Sequence, residues 1–140
     1  MMRASVAAVS LVALVAAPVA RGQDRPGSKV EMTTYYFGML LKGEKWTAAG
    51  AEAPERVELQ KQHLAHMADM HKLGRLVIAG PMLDDGTIRG LVVYKAASLE
   101  EARAWAEADP AVKAGRLKIE MHPWMVQKGI LREPHELAVQ

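Results

Sequence analysis

The chain contains no cysteine. Disulfide frameworks, thiol nucleophiles, Cys-ligated zinc and lipid attachment at a cysteine are thereby excluded, and the fold must hold together by packing, with or without a second subunit. Several catalytic and nucleotide-binding signatures are missing too. There is no phosphate-binding loop, dinucleotide fingerprint, Gly-x-Ser-x-Gly elbow or His-Glu-x-x-His helix. Residues 23–140 carry no internal repeat, no low-complexity segment and no basic run. The formal charge is only +2. Arg3 and Arg21 account for that excess, and the remaining acids and bases are interspersed. Nucleic acid is therefore not an expected partner.

What is present begins with a targeting pattern. Met1-Met2-Arg3 is a short basic start, and Ala4 to Ala20 is apolar apart from Ser5, Ser10 and Pro18. Ala20 and Gly22 then put small residues on the positions that precede a cleavage before Gln23. This is the layout of a secretory signal peptide. The run is slightly short of the ~20 residues of a spanning helix. Residues 1–22 are thus expected to be a signal peptide, 23–29 a linker, 30–127 one domain and 128–140 a tail. The mature protein is expected to be periplasmic or secreted, with no membrane attachment after cleavage.

Half of the residues are hydrophobic, enough for one core. Glu31 to Leu41 is rich in Thr and aromatic residues and reads as a first strand. Lys42 to Ala53, with Gly43 and Gly50, reads as a loop. Pro54 suits the first turn of a helix that runs to Leu73 and stops at Gly74. On a helical wheel Val57, Gln60, Leu64, Met67, Ala68 and His71 share one stripe, with His63 on its flank beside Arg56 and Met70, and His66 further out. Arg75 to Ala79 is a short strand ended by Gly80-Pro81, and Asp84-Asp85-Gly86 is a hairpin turn into a third strand, Thr87 to Lys95. Ser98 and Glu101 have capping-box spacing and open a helix from Leu99 to Ala108. Asp109-Pro110 ends it, Ala111 to Gly115 is a turn or half-turn, and Arg116 to Gln127 is the last strand. The order βαββαβ predicts an α+β, ferredoxin-like antiparallel sheet with helices on one face. The other face has few strongly polar residues in the first and third strands, which predicts a homodimer with sheets facing each other.

Two residues carry the chemical interest. Imidazole exchanges a proton near neutrality without large tuning, which makes His63 a candidate acid–base group, and Asp109 is a carboxylate able to orient it. The competing account has His63 as a helix histidine and Asp109 as a turn cap. Arg56, Pro81 and Trp124 are the candidate substrate-binding residues, although Arg56 reads first as a solvated surface arginine and Trp124, which could line a pocket or the dimer seam, reads first as a packing residue. Trp46 and Trp105 read as packing residues. His63, His66, Met67 and Met70 are copper-ligand types at helical spacing, but methionine so placed ordinarily fills a core, and no closed ligand set is evident. Neither a metal nor a cofactor is expected.

At this point the chain resembles a known family. His63-Leu64, Gly74-Arg75-Leu76, Ala79-Gly80-Pro81, Asp85-Gly86, Gly90, Ser98-Leu99-Glu100-Glu101-Ala102, Ala108-Asp109-Pro110, Ala114-Gly115 and Pro123-Trp124 fall in the order and spacing of YciI-like (YCII-related) proteins. The resemblance covers Met32 to Trp124. It implies a dimeric α+β barrel of ferredoxin-like subunits, similar to muconolactone isomerases and small monooxygenase-like proteins. Some members are linked to dehydrochlorination of chlorinated hydroxyquinols, with a His–Asp pair as the proposed active site, which corresponds here to His63 and Asp109. The export signal, the longer first loop and the tail depart from the family pattern. The expectation is an exported, cofactor-independent lyase or isomerase acting on a small cyclic or aromatic molecule. The alternative is a dimeric ligand-binding or accessory domain without turnover.

Overall fold

The computed structural model describes residues 30–132. The expected signal peptide and linker, and the tail beyond residue 132, lie outside the described residues. Four strands and three helices follow in the order β1 (Met32–Lys42), α1 (Pro54–Lys72), β2 (Leu76–Pro81), β3 (Ile88–Tyr94), α2 (Leu99–Glu107), α3 (Pro110–Lys113) and β4 (Leu117–Gln127). The strands form one antiparallel sheet in the order β2-β3-β1-β4. This is the ferredoxin-like α+β arrangement. No helix among the described residues is long and apolar enough to cross a membrane.

Alternation along the strands builds two apolar layers. Tyr36 and Leu40 of β1 join Leu76, Val92, Tyr94 and Met121 beneath Ala102 and Ala106 of α2. On the opposite face Tyr35, Val77, Val93 and Val126 cluster with Phe37 and Leu131. Gly43, just after β1, permits a close approach that sets up the site. Its N–H donates to the Arg116 carbonyl at 2.9 Å, and Lys45 N–H donates to that of Gly115 at 2.9 Å. A Cβ on Gly43 would collide with the Gly115 carbonyl oxygen.

Helix ends follow local chemistry. Gly74 has φ +71° and closes α1, with Gly74 N–H on the His71 carbonyl and Arg75 N–H on that of Met70, both at 2.9 Å. This is a Schellman motif, in which glycine adopts the left-handed conformation without steric cost. Ser98 Oγ accepts the Glu101 N–H at 3.1 Å, and the Glu101 carboxylate accepts the Ala97 N–H at 2.8 Å.

Three expectations need correction. The inward face of α1 is not the stripe of Val57, Gln60 and Leu64. Val57 and Leu64 are 53% and 57% exposed, whereas Arg56, Leu59, His63, His66, Met67 and Met70 turn inward. The polar members of that face have specific hydrogen-bond acceptors, which a hydropathy pattern does not reveal. Second, β2 does not stop at Ala79 but takes in Gly80, paired with Leu91, and ends at Pro81, paired with Gly90. β2 is an edge strand, where proline's missing N–H is tolerated. Third, the half-turn after Asp109 is the short helix α3, with Asp109 as its N-cap.

Tyr94 is 1% exposed in the core beneath α2. Burial raises its phenol above the ordinary range, and the negative charge of Asp109 adds to the rise. Below the ordinary phenol value of about 10 both folded and unfolded Tyr94 are neutral. Above it the unfolded chain ionises first, so stability falls as pH rises. Alkaline unfolding is therefore expected to be shallower in Tyr94→Phe, as urea midpoints measured from neutral pH into the alkaline range will read. Gly43→Ala is expected to lose about 1–3 kcal/mol, as overpacking generally costs. Gly80→Ala, where a Cβ meets nothing within 4 Å, should stay near wild type in the same urea titration.

Candidate active site

Asp109 sits where two structural demands meet. As N-cap of α3 its Oδ1 accepts the Ala111 N–H at 2.8 Å, and Pro110 occupies the first helical position, where no N–H is required. The second oxygen, Oδ2, lies 2.7 Å from Nδ1 of His63 on α1. The carboxylate is 2% exposed and is the one buried polar or charged residue among those described. The His63 side chain is 12% exposed. An ionised carboxylate only accepts hydrogen bonds, so the proton of that contact belongs to Nδ1. Nε2 then carries the lone pair of the neutral ring, and no described residue bonds to it.

The other α1 histidines have different tasks. His66 Nε2–H donates to the Trp105 carbonyl at 3.0 Å and ties α1 to α2. His71 Nδ1–H donates to the Leu76 carbonyl at 3.0 Å and ties the helix end to β2. His63 and His66 thus answer to separate partners. Among the described residues no group of three or more His, Cys, Asp or Glu is placed to hold a metal ion.

His63 lines a cavity of about 380 Å³ between α1 and the rim of the sheet. Leu59, Leu64 and Met67 of α1 supply one apolar wall, Leu40 and Gly80-Pro81 another, and Trp46, Arg89 and Arg116 close the loop end. This volume is toward the small end for small-molecule sites. Pro81 is therefore in the wall. Arg56 does not line the cavity: its Nη1 donates to the carbonyls of Thr47 at 2.9 Å and Ala49 at 2.7 Å, pinning the loop after β1. Trp124 stands on the opposite face of the sheet, edge-on to Phe37 with ring centroids 6.1 Å apart. There it borders a second, apolar hollow of about 730 Å³ with Ile78, Val93 and Leu131.

Sequence reasoning missed Arg89, Arg116 and Trp46 as cavity residues. The β1–β3 pairing runs from Leu40↔Gly90 directly to Leu41↔Ile88, so Arg89 is an extra residue in β3. Such a bulge re-aims a side chain, and its position depends on inter-strand register, which no local signal announces. Trp46 is not a simple packing residue: the guanidinium carbons of Arg116 and Arg89 lie 4.2 and 5.3 Å from its ring centroid.

Comparison with known proteins agrees with this architecture. The YCII-related domain profile matches residues 39–124. Proteins named YciI from Escherichia coli and Shigella flexneri are each 41% identical over 69 residues, covering 44% of this chain and 70% of theirs. Among solved structures, 5-chloro-2-hydroxyhydroquinone dehydrochlorinase from Burkholderia phenoliruptrix, in complex with 2,5-dihydroxybenzoquinone, is similar at 22% identity and a TM-score of 0.47. That match covers 64% of this chain and 92% of the dehydrochlorinase. The matched segment runs from within β1 to β4 and takes in both His63 and Asp109, and the chain belongs to the YCII-related domain family.

Proposed function

We propose that this protein is a small-molecule enzyme of the lyase or isomerase type, dehydrochlorination included, with His63 as its acid–base group and Asp109 as the residue that positions it. One observation carries the reading: a buried carboxylate 2.7 Å from Nδ1 leaves Nε2 as the available base at the wall of a cavity. Nε2 takes a proton from carbon. The electron pair left behind either expels a leaving group or is reprotonated at another carbon by the same imidazolium. Asp109 keeps the ring in the reactive tautomer and stabilises its cationic form through charge-assisted hydrogen bonding. The step draws on protein groups alone, and the cavity size fits a small cyclic or aromatic substrate.

The test is turnover on a panel of lactones and halogenated phenols. His63→Ala is expected to lower kcat by about 10²–10⁴-fold, the ordinary worth of a positioned proton-transfer group. Asp109→Asn should reduce kcat more than KM, since its effect reaches substrate only through the ring. Turnover that survives in His63→Ala overturns the assignment, and ligand binding without turnover across the panel leaves a ligand-binding domain.

We further propose that two copies pair through the sheet face that α1 and α2 leave uncovered, and that the mature chain, beginning at Gln23, works outside the cytoplasm. Ile78 and Trp124 on that face are 56% and 42% exposed and border the apolar hollow, an arrangement that monomers seldom leave to water. Sedimentation of the wild type should give a dimer and of Ile78→Lys/Trp124→Asp a folded monomer. N-terminal sequencing of exported protein should begin at Gln23.

A further inference from the structure

Three arginines from distant parts of the chain meet around the loop after β1. Arg56 comes from the first turn of α1, Arg89 from the β3 bulge and Arg116 from the residue before β4. Among the described residues none of them has a carboxylate at ion-pair distance. Each directs Nη1 at backbone carbonyls: Arg56 at Thr47 and Ala49, Arg116 at Thr47, Arg89 at Asp84 and Gly86. Those bonds fix the guanidinium planes without neutralising their charge. Arg89 Nε is buried and has no hydrogen-bond partner at all. Crowding shows in Arg116, whose guanidinium is held below its ordinary range by burial first and then by Arg56 and Arg89.

Like charges gathered without a counter-charge are destabilising unless something of opposite sign completes the set. Arg89 and Arg116 line the same cavity as His63. The planar fork of a guanidinium matches a carboxylate in two-point fashion. Leu40, Leu59, Leu64 and Met67 give the same cavity an apolar lining.

We propose that Arg89 and Arg116 form a carboxylate-binding subsite, so that the substrate is a small organic acid whose apolar body spans the cavity and presents its reactive carbon to His63. This deepens the reading of the His63 cavity as the substrate site and rests on it. Trp46 stacks beneath the Arg116 guanidinium and holds it toward the cavity, and the loop that carries Trp46 is part of the subsite.

Binding of benzoate to the full-length mature protein, measured by calorimetry and by Trp46 indole shifts in NMR, tests this apart from turnover. Benzoate is expected to bind and to raise the melting temperature. Neutral benzamide, of similar shape, should bind about ten- to a hundredfold more weakly, the range set by hydrogen bonds to a charged group. Arg89→Gln and Arg116→Gln should each weaken benzoate by a similar factor, with Arg116→Lys retaining part of the affinity as the check that the loop still folds. Equal affinity for benzamide, or undiminished benzoate binding in Arg89→Gln/Arg116→Gln, overturns the subsite and leaves the His63 assignment standing. Inorganic phosphate outcompeting benzoate overturns the choice of carboxylate. Arginine-dependent benzoate binding in a protein that turns over neither the lactones and halogenated phenols nor halogenated benzoates keeps the subsite and removes the enzymatic reading.

Discussion

Taking a carboxylate out of water costs several kcal/mol unless its lone pairs are matched by donors. Asp109 meets that condition with two donors of different origin, the Ala111 N–H of its own turn and the His63 ring of a helix 46 residues earlier in sequence. Much else is placed by this contact. It ties α1 to α3, turns the His63 side of α1 inward and occupies the Nδ1 edge of a ring that lines the cavity. Removing the charge disturbs the helix cap and the histidine together, so structure and chemistry at this point share one origin.

The architecture was largely legible in the sequence, because its punctuation is local. Pro54, Gly74, Ser98 with Glu101, and Asp109-Pro110 each act within a turn of themselves, and each marks a helix end in the structure. What the sequence could not express is whatever depends on a partner far along the chain. The inward face of α1 carries Arg56, His63 and His66, and these look like solvent-facing residues until the Thr47, Asp109 and Trp105 acceptors are supplied. The bulge that lifts Arg89 out of the strand alternation exists only once β1 and β3 are in register. Arg116 and Trp46, seventy residues apart, gave no sign of meeting. The residue types for a proton-transfer pair were visible early, whereas their separation was purely a tertiary fact.

The loop between β1 and α1 concentrates positive charge around one indole. Lys42, Arg89 and Arg116 all approach the Trp46 ring, each such contact being worth about 0.5–2 kcal/mol according to its exposure. Gly43 makes this possible by letting the strand end lie against the Gly115–Arg116 backbone. A segment that looks like a plain connection thus sets the polarity of one end of the cavity, while the apolar helix wall sets the other. Variation of that loop between relatives would retune the polar end and leave the His63–Asp109 contact intact.

The strip formed by Ala79, Gly80, Pro81 and Leu91 borders both hollows, the one beside His63 and the one across the sheet. The two compartments therefore share a party wall one backbone thick. Its β2 part lies at the margin of the sheet and is braced by strand pairing on one side only. A substitution in that strip therefore touches the rooms on both faces of the sheet at once.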